Sequence, residues 1–463
     1  MKTRTGHVVA AAIVAALSSP AGAPVPVEAQ QPASPARPNV VLIITDDVGY
    51  GDIGSYGARD IRTPNIDSLA RDGTRLTDFY ANGPLCSPTR AGLVSGRYQQ
   101  RVSIETALGN ANGPAFEIGL PVTGRSLPQL LKNNGYATAL VGKWHLGYRP
   151  EHSPILHGFD YFFGFKAGYT DYYRHTAGTG EPDLWENDAP TTQDGYMTDL
   201  IAARSIAFIE RNAGRPFFVD IAFNAPHWPY QTPDRPTVAR DNAAHLQPFS
   251  EETSTRAEYV AMMERVDRGV GNVLETLDRL GLSNNTIVIF TNDNGGEWLA
   301  DNGPLFHRKA TVWEGGIRVP AIIRWPGRIE PGRVSDQVGI TMDLTASVLA
   351  ATATTVPPEV KLEGINLLPI LEGRAPETPR TLFWRTAGSR QRAVRSGDWK
   401  LVVDTGSTFV FDLRSDIGER NDLARQRQDI ARRLRPLITR WENDVDAEAK
   451  ARGLGPGGRG GAR

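Results

Sequence analysis

The chain has 463 residues, one cysteine, 51 Lys and Arg, 52 Asp and Glu, and a formal net charge of −1. This balance offers no basic excess for general nucleic-acid binding, and a single cysteine excludes an intrachain disulfide or a multi-cysteine metal centre. Glycine (47) and proline (33) are plentiful, yet 22% charged and 40% hydrophobic residues describe an ordinary globular protein.

Lys2 and Arg4 precede an apolar run over residues 8–17, and a Pro/Ala/Gly stretch leads to Ala29 and Gln30. A basic start, a short apolar core and small residues predict a secretory signal peptide over 1–29. Residues 30–37 then read as a flexible lead-in, and the protein as exported, to the periplasm or the medium. No later segment is apolar for long enough to span a membrane.

Residues 39–45 (NVVLIIT) have the composition of a strand buried on both faces. Ser126 caps a predicted helix with Pro128 in its first turn and Gly135 as its stop. Strands follow over 136–141, 217–223 (FFVDIAF) and 286–291 (TIVIFT), and helices over 197–210 and 254–280. The alternation predicts an α/β core, a doubly wound and mostly parallel sheet, over residues 38–375. Short strands over 381–384, 392–395, 399–403 and 408–413 precede a helix over 421–441, weakened in its middle by Pro436. They predict a smaller C-terminal subdomain over 376–445, an antiparallel sheet plus helix. Residues 446–463 read as a disordered Gly-rich tail.

Polar residues follow each buried strand: Asp46 and Asp47, then Lys143 and His145, then His227, then Asp293 and Asn294. In an open α/β sheet, ligands bind beyond the carboxyl ends of the strands. Crowded carboxylates with an amide are hard oxygen ligands, suited to calcium or magnesium; as turn and cap residues they have an ordinary explanation too. Arg90, Lys143, His145, His227, Lys309 and Arg318 are candidates for anion binding and proton transfer. The lone Cys86 reads either as a buried small hydrophobe or as a nucleophile activated by Arg90 or a nearby base.

The run Cys86-Ser87-Pro88-Thr89-Arg90, with Leu93, Gly96 and Arg97, resembles the signature of the formylglycine-dependent (type I) sulfatases, arylsulfatase-like members of the alkaline-phosphatase superfamily. Thr89 replaces the commoner serine of that signature. The resemblance covers residues 38–425. It continues through Asp46-Asp47 with Gly49-Tyr50-Gly51-Asp52, then Thr63-Pro64-Asn65-Ile66-Asp67 and Gly142-Lys143-Trp144-His145-Leu146-Gly147. Ala225-Pro226-His227, Asn292-Asp293-Asn294-Gly295, Lys309 with the block 314–320, Asp398-Trp399-Lys400-Leu401 and Phe411-Asp412-Leu413 complete it.

The resemblance implies an alkaline-phosphatase-like fold and a sulfuric ester hydrolase. A formylglycine-generating enzyme would oxidise Cys86 to formylglycine (3-oxoalanine) around export. One hydroxyl of the hydrated aldehyde would attack sulfur and the other would drive release of sulfate. Asp46, Asp47, residue 86, Asp293 and Asn294 would bind a divalent cation, calcium with magnesium left open. Arg90, Lys143, His145, His227 and Lys309 would complete the catalytic set, with Lys143, His227 and Lys309 on the substrate and His145 as the base. Arg318 reads as a structural ion-pair partner. The substrate would be a sulfated carbohydrate or an aryl sulfate, and Tyr169, Tyr172, Tyr173, His175, Trp185 and Trp228 either line its site or pack a loop. Two alternatives stand: a phosphodiesterase or phosphonate monoester hydrolase of the same superfamily, and an inactive carbohydrate-binding relative.

Overall fold

A computed structural model describes residues 37–109, 114–236 and 243–451, with residues 1–3, 5–8, 11 and 453 beside them. Two units separate, Met1–Ala36 and Arg37–Arg463. Most of the first, including the leader and the lead-in, lies outside the described residues. Among the described residues, no helix is long and apolar enough to cross a membrane.

The second unit is built on a ten-stranded sheet. Its centre is five parallel strands in the spatial order Thr286–Asn292, Asn39–Thr45, Phe217–Ala222, Ala137–Lys143 and Tyr161–Phe165. The four strands read from sequence are therefore immediate neighbours. The strand expected over 136–141 runs on to Lys143, so that lysine ends the strand instead of following it. Antiparallel Ala321–Arg324 extends one side, and the two-residue strands Trp185–Glu186 and Ala189–Pro190 close the other.

Asn39–Thr45 is buried at every position. Val41 and Ile43 pack on one face with Ile66, Ile201, Met262 and Val266, from helices Pro64–Arg71, Met197–Arg211 and Arg256–Arg279. Val40, Leu42 and Ile44 pack on the other with Ala91, Leu130 and Leu344, from helices Cys86–Ser95, Leu127–Asn133 and Thr341–Ala351. Coverage on both faces is why these strands read as continuous apolar runs. Ser126 caps its helix through a bond that Gln129 N donates to its hydroxyl. Ser126→Ala should cost about 1 kcal/mol, measured as a lower urea midpoint with an unchanged slope.

Strands Thr381–Arg385, Gln391–Ser396, Trp399–Asp404 and Ser407–Asp412 form an antiparallel sheet in that order. Val394, Leu401 and Val410 face Ile430, Leu434 and Ile438 of the last helix. The other face carries Leu382, Trp384 and Val402 against Tyr80, Trp313 and Ile340 of the core. The last helix corrects the expectation at both ends: it spans Gln428–Ala451, not 421–441. At the start, the Asp422 carboxylate accepts from Val410 N and Ala424 N, which makes a turn of those residues. Pro436 lies inside the helix without ending it, because the apolar stripe on either side stays packed on the sheet. Residues 446–451, expected in the tail, are helical, with Val445 and Ala449 buried. The remainder of the tail, apart from Gly453, lies outside the described residues.

Candidate active site

The parallel strands deliver their following residues to one edge. Thr45 and Asn292, paired in register, are tied by a 2.9 Å bond from Thr45 Oγ1 to Asn292 Oδ1. Asp47 (φ 65°) and His145 (φ 53°) adopt left-handed backbone, uncommon for non-glycine residues and concentrated at functional sites. The close fit of the loops explains Gly295: a Cβ there would sit 1.8 Å from the carbonyl oxygen of Gly315. The Asp293 loop is thereby laid directly on the block that follows Lys309.

Cys86 is the first residue of helix Cys86–Ser95 and is 1% exposed. Its thiol donates to Asp46 Oδ1 at 3.4 Å. Burial pushes the thiol upward, and the charges of Asp293 and Asp46 add to this against Lys143 and Lys309. It stays protonated at neutral pH, which disfavours an unmodified thiolate as the nucleophile.

Arg90, one turn further along the helix, ties that helix to two other segments. Nε and Nη2 donate to Asp293 Oδ2 at 3.0 and 2.8 Å, and Nη1 donates to the Lys143 carbonyl at 3.1 Å. Lys143 Nζ pairs with Asp46 Oδ2, both side chains fully buried. Lys309 Nζ lies 2.7 and 2.8 Å from the two oxygens of Asp47. Asn294 Nδ2 donates to Asp47 Oδ1 at 2.7 Å, and His227 Nε2 is 3.5 Å from Asp47 Oδ2. The structure thus brings together Cys86, Arg90, Lys143, His227, Lys309, Asp46, Asp47, Asp293 and Asn294. His145 is buried beside them, its ring Nε2 3.0 Å from the Leu108 carbonyl. Arg318 lies elsewhere, paired with Glu314 at 3.2 Å and with Asp78.

The charges are arranged unequally. Burial favours the neutral form of Asp46, but Lys143, His227, Arg90 and Lys309 overcome it and hold this carboxyl well below the usual range. Burial and the neighbouring Asp46 raise Asp293 to about 7. Burial and Lys143 push His145 well below its ordinary value; burial and Lys309 lower His227. Both imidazoles are therefore neutral at pH 7. The Leu108 carbonyl accepts from His145 Nε2–H, which leaves Nδ1 as a buried acceptor with no partner.

A divalent cation fits this donor set. One donor atom each from Asp46, Asp47, Cys86 and His227 lies within 4.8 Å of the others. Asp293 Oδ1 and Asn294 Oδ1 are buried without a hydrogen-bond partner, and buried oxygens left so are costly unless a ligand takes them. Hard oxygens in this number suit calcium or magnesium.

A cavity of ≈ 390 Å³ opens over Asp47, His227 and Lys309, walled by Trp228, Gln247, Ser250, Glu251, Glu252 and Glu297. Tyr169 stacks on His227 with centroids 6.0 Å apart and meets Trp228 edge-on at 4.6 Å. The neighbouring aromatics pack the loop. Tyr172 is fully buried and donates to the His227 carbonyl at 2.9 Å, Tyr173 donates to the Thr232 carbonyl at 2.8 Å, and His175 is buried. Trp185 lies under Lys166, 3.6 Å from Nζ to ring centre.

Glu251, Glu252 and Glu297 had no sequence signal, since acidic loop residues are normally solvated. Asp220 had one: a charge in the middle of FFVDIAF. It is buried, with Oδ1 unpartnered, beside Arg90 and Lys143 around a void of ≈ 10 Å³, and burial raises it to about 7.

Comparison with known proteins agrees with this geometry. The family profile described as Sulfatase matches residues 38–354, and that described as N-sulphoglucosamine sulphohydrolase, C-terminal, matches 304–444. The chain is 36% identical to N-acetylgalactosamine-6-sulfatase of Canis lupus familiaris over 407 residues, covering 83% of this chain and 75% of that protein. It is 34% identical to arylsulfatase A of Bos taurus over 416 residues, 83% and 78% of the two chains. Among solved structures, Ps i-CgsB in complex with k-i-k-neocarrahexaose superposes with a TM-score of 0.79 at 29% identity, covering 88% of this chain and 92% of that one.

Proposed function

Because the chain belongs to the formylglycine-dependent sulfatase family, and is a hydrolase of sulfate esters, we propose that its substrates are carbohydrate sulfates and that Cys86 carries the reaction as formylglycine. One observation supports this most: Cys86 stands at a helix start within hydrogen-bond reach of Asp46, inside a ring of buried carboxylates and cations.

The modified residue would supply a hydrated aldehyde, whose two geminal hydroxyls offer a nucleophile for sulfur and a route to expel sulfate. Asp46, Asp47, Asp293, Asn294 and residue 86 would hold a divalent cation, calcium in our reading, which supplies Lewis-acid polarisation of the sulfate. The protein's own side chains do the rest. Arg90 fixes Asp293 and the Lys143 backbone in one frame. Lys143 and Lys309 place positive charge where the sulfate oxygens gain negative charge. His145 Nδ1, held as an acceptor by the Leu108 carbonyl, would serve as the base for a proton of residue 86. His227 and Lys309, on the cavity floor, face the leaving oxygen. Trp228, backed by Tyr169, walls that side with aromatic surface suited to a sugar ring. The leader residues support export and maturation by a formylglycine-generating enzyme.

The test is release of inorganic sulfate after co-expression with that maturation enzyme. Sulfated mono- and disaccharides, an aryl sulfate and the matching phosphate esters are compared. Faster turnover of the sugar sulfates is expected; a preference for phosphate esters would overturn the reading. Asp293→Ala should lose bound metal as well as activity, and full metal content by elemental analysis would remove Asp293 from the ligand set.

A further inference from the structure

Apart from Asp429 and Lys450 near its ends, the last helix, Gln428–Ala451, carries its charges in two blocks, bases before acids. The acids of its C-terminal half are used in docking. Glu442 meets Arg392 at 3.0 Å, Asp444 meets Arg101 at 2.5 Å, Asp446 meets Arg385 at 2.6 Å, and Glu448 meets Arg97 at 2.7 Å. Residues 432–440 carry Arg432, Arg433, Arg435 and Arg440, all exposed. Among the described residues none of these four has an ion-pair partner; Arg435 makes one 3.4 Å bond to the Thr408 hydroxyl. Like charges three residues apart, as at Arg432 and Arg435, repel. Local helix stability therefore does not account for the cluster.

Three of these arginines line one concave surface. Arg432, Arg435 and Arg440 border a groove of ≈ 660 Å³ with Ala431, Pro436 and Thr408, and no acid lies in its lining. Thr408 belongs to the edge strand Ser407–Asp412. The next residue, Phe409, points to the opposite face of the sheet and packs on Trp313 at 5.2 Å. The groove is thus separated by the sheet from the block that carries Lys309, and is no part of the catalytic cavity.

We propose that this groove is a second, non-catalytic site that holds a sulfated polysaccharide chain, resting on the reading of the enzyme as a carbohydrate sulfatase. A guanidinium presents a planar fork that bonds two oxygens of one sulfate at once. Three such forks along a groove match the repeated sulfates of a polymer, and Ala431 with Pro436 offers apolar floor for the C–H faces of the sugars. The groove keeps a long substrate on the enzyme between cleavage events.

The test uses the full chain carrying Cys86→Ala, so that binding is read without turnover. Its probes are a fluorescent hexasaccharide of a sulfated galactan, the same oligosaccharide chemically desulfated, and vesicles of anionic phospholipid. The triple variant Arg432→Gln/Arg435→Gln/Arg440→Gln should raise the Kd for the sulfated probe at least about tenfold, which is about 1.4 kcal/mol. Its dependence on salt should weaken at the same time. In the Cys86 background the triple variant should turn over an aryl sulfate within about twofold of the parent's kcat/KM, since no catalytic group changes. If the triple variant is unstable, Arg440→Gln alone should show a smaller shift in the same direction. An unchanged Kd, equal binding of the desulfated probe, or tighter binding to the vesicles would each overturn the proposal. The two readings fail separately: activity with an unchanged Kd removes the groove alone, whereas no sulfate release with a tenfold loss of binding removes the reaction and keeps the groove.

Discussion

Replacing Cys86 with alanine is expected to end sulfate release while leaving the protein folded. The side chain is small, and among the described residues its thiol hydrogen-bonds to Asp46 at 3.4 Å. Alanine is the best helix former and suits the first position of Cys86–Ser95. The stability change should stay near 1 kcal/mol, mostly from the lost sulfur contacts. Turnover should fall on the order of 10³-fold or more, as for removal of a covalent nucleophile. Cys86→Ser separates the two halves of the reaction. A single hydroxyl can accept sulfate, but it has no geminal partner to expel it. Intact mass spectrometry after substrate exposure should show the serine variant heavier by one SO₃ group. Sustained turnover by that variant would contradict the elimination step, and full activity in Cys86→Ala would sink the nucleophile.

The second large effect concerns stability and lies outside the cavity. Lys400 Nζ is fully buried between Glu314 Oε1 at 2.7 Å and Glu419 Oε1 at 2.9 Å, both also buried. Lys400→Met removes the cation and strands the Glu419 carboxylate in a dry interior, while Glu314 keeps its pairing with Arg318. Breaking a buried pair from one side costs about 3–5 kcal/mol, a large share of the ~5–15 kcal/mol that holds a typical domain. A fall of several degrees in Tm is expected. Burial already raises Glu419 to about 7 from 4.5, with Lys400 opposing the rise. A buried carboxyl with a raised value binds its proton more readily folded than unfolded, so stability increases as pH falls through that window. The deficit of Lys400→Met should therefore be greatest above pH 7 and shrink towards pH 4.5. Adding Glu419→Gln should recover part of it at neutral pH. A Tm deficit independent of pH would show that lost packing, not stranded charge, is the cause.

The parts of the fold legible in the sequence are those with one dominant physical signal. The four central strands are apolar throughout because both faces are covered, so their ends, and the polar residues after them, were placed to within a residue or two. Strands Thr74–Leu76 and Arg333–Ser335 are three residues each, too short to carry a period. The last helix was misplaced because the Arg- and Asp-rich stretch before residue 428 has helical composition, while the turn at Asp422 depends on a strand partner, Val410, twelve positions earlier in the chain. Within the site, charged residues at strand ends were readable, but their pairing was not. That Lys143 meets Asp46 and Lys309 meets Asp47 follows from strand order, which no local pattern encodes.

The antiparallel sheet holds the segment that presents Lys309. Gln391 accepts from Val312 N at 3.0 Å, Asp404 accepts from Trp313 Nε1 at 3.0 Å, Glu419 accepts from Glu314 N at 2.6 Å, and Lys400 grips the Glu314 side chain. Every one of these partners is synthesised after the block it steadies. A chain ending before residue 419 would contain Cys86, Arg90, Lys143 and Lys309 and still lack part of the scaffold behind the block that follows Lys309. Truncation before residue 419 is thus expected to leave the block that follows Lys309 short of its polar supports.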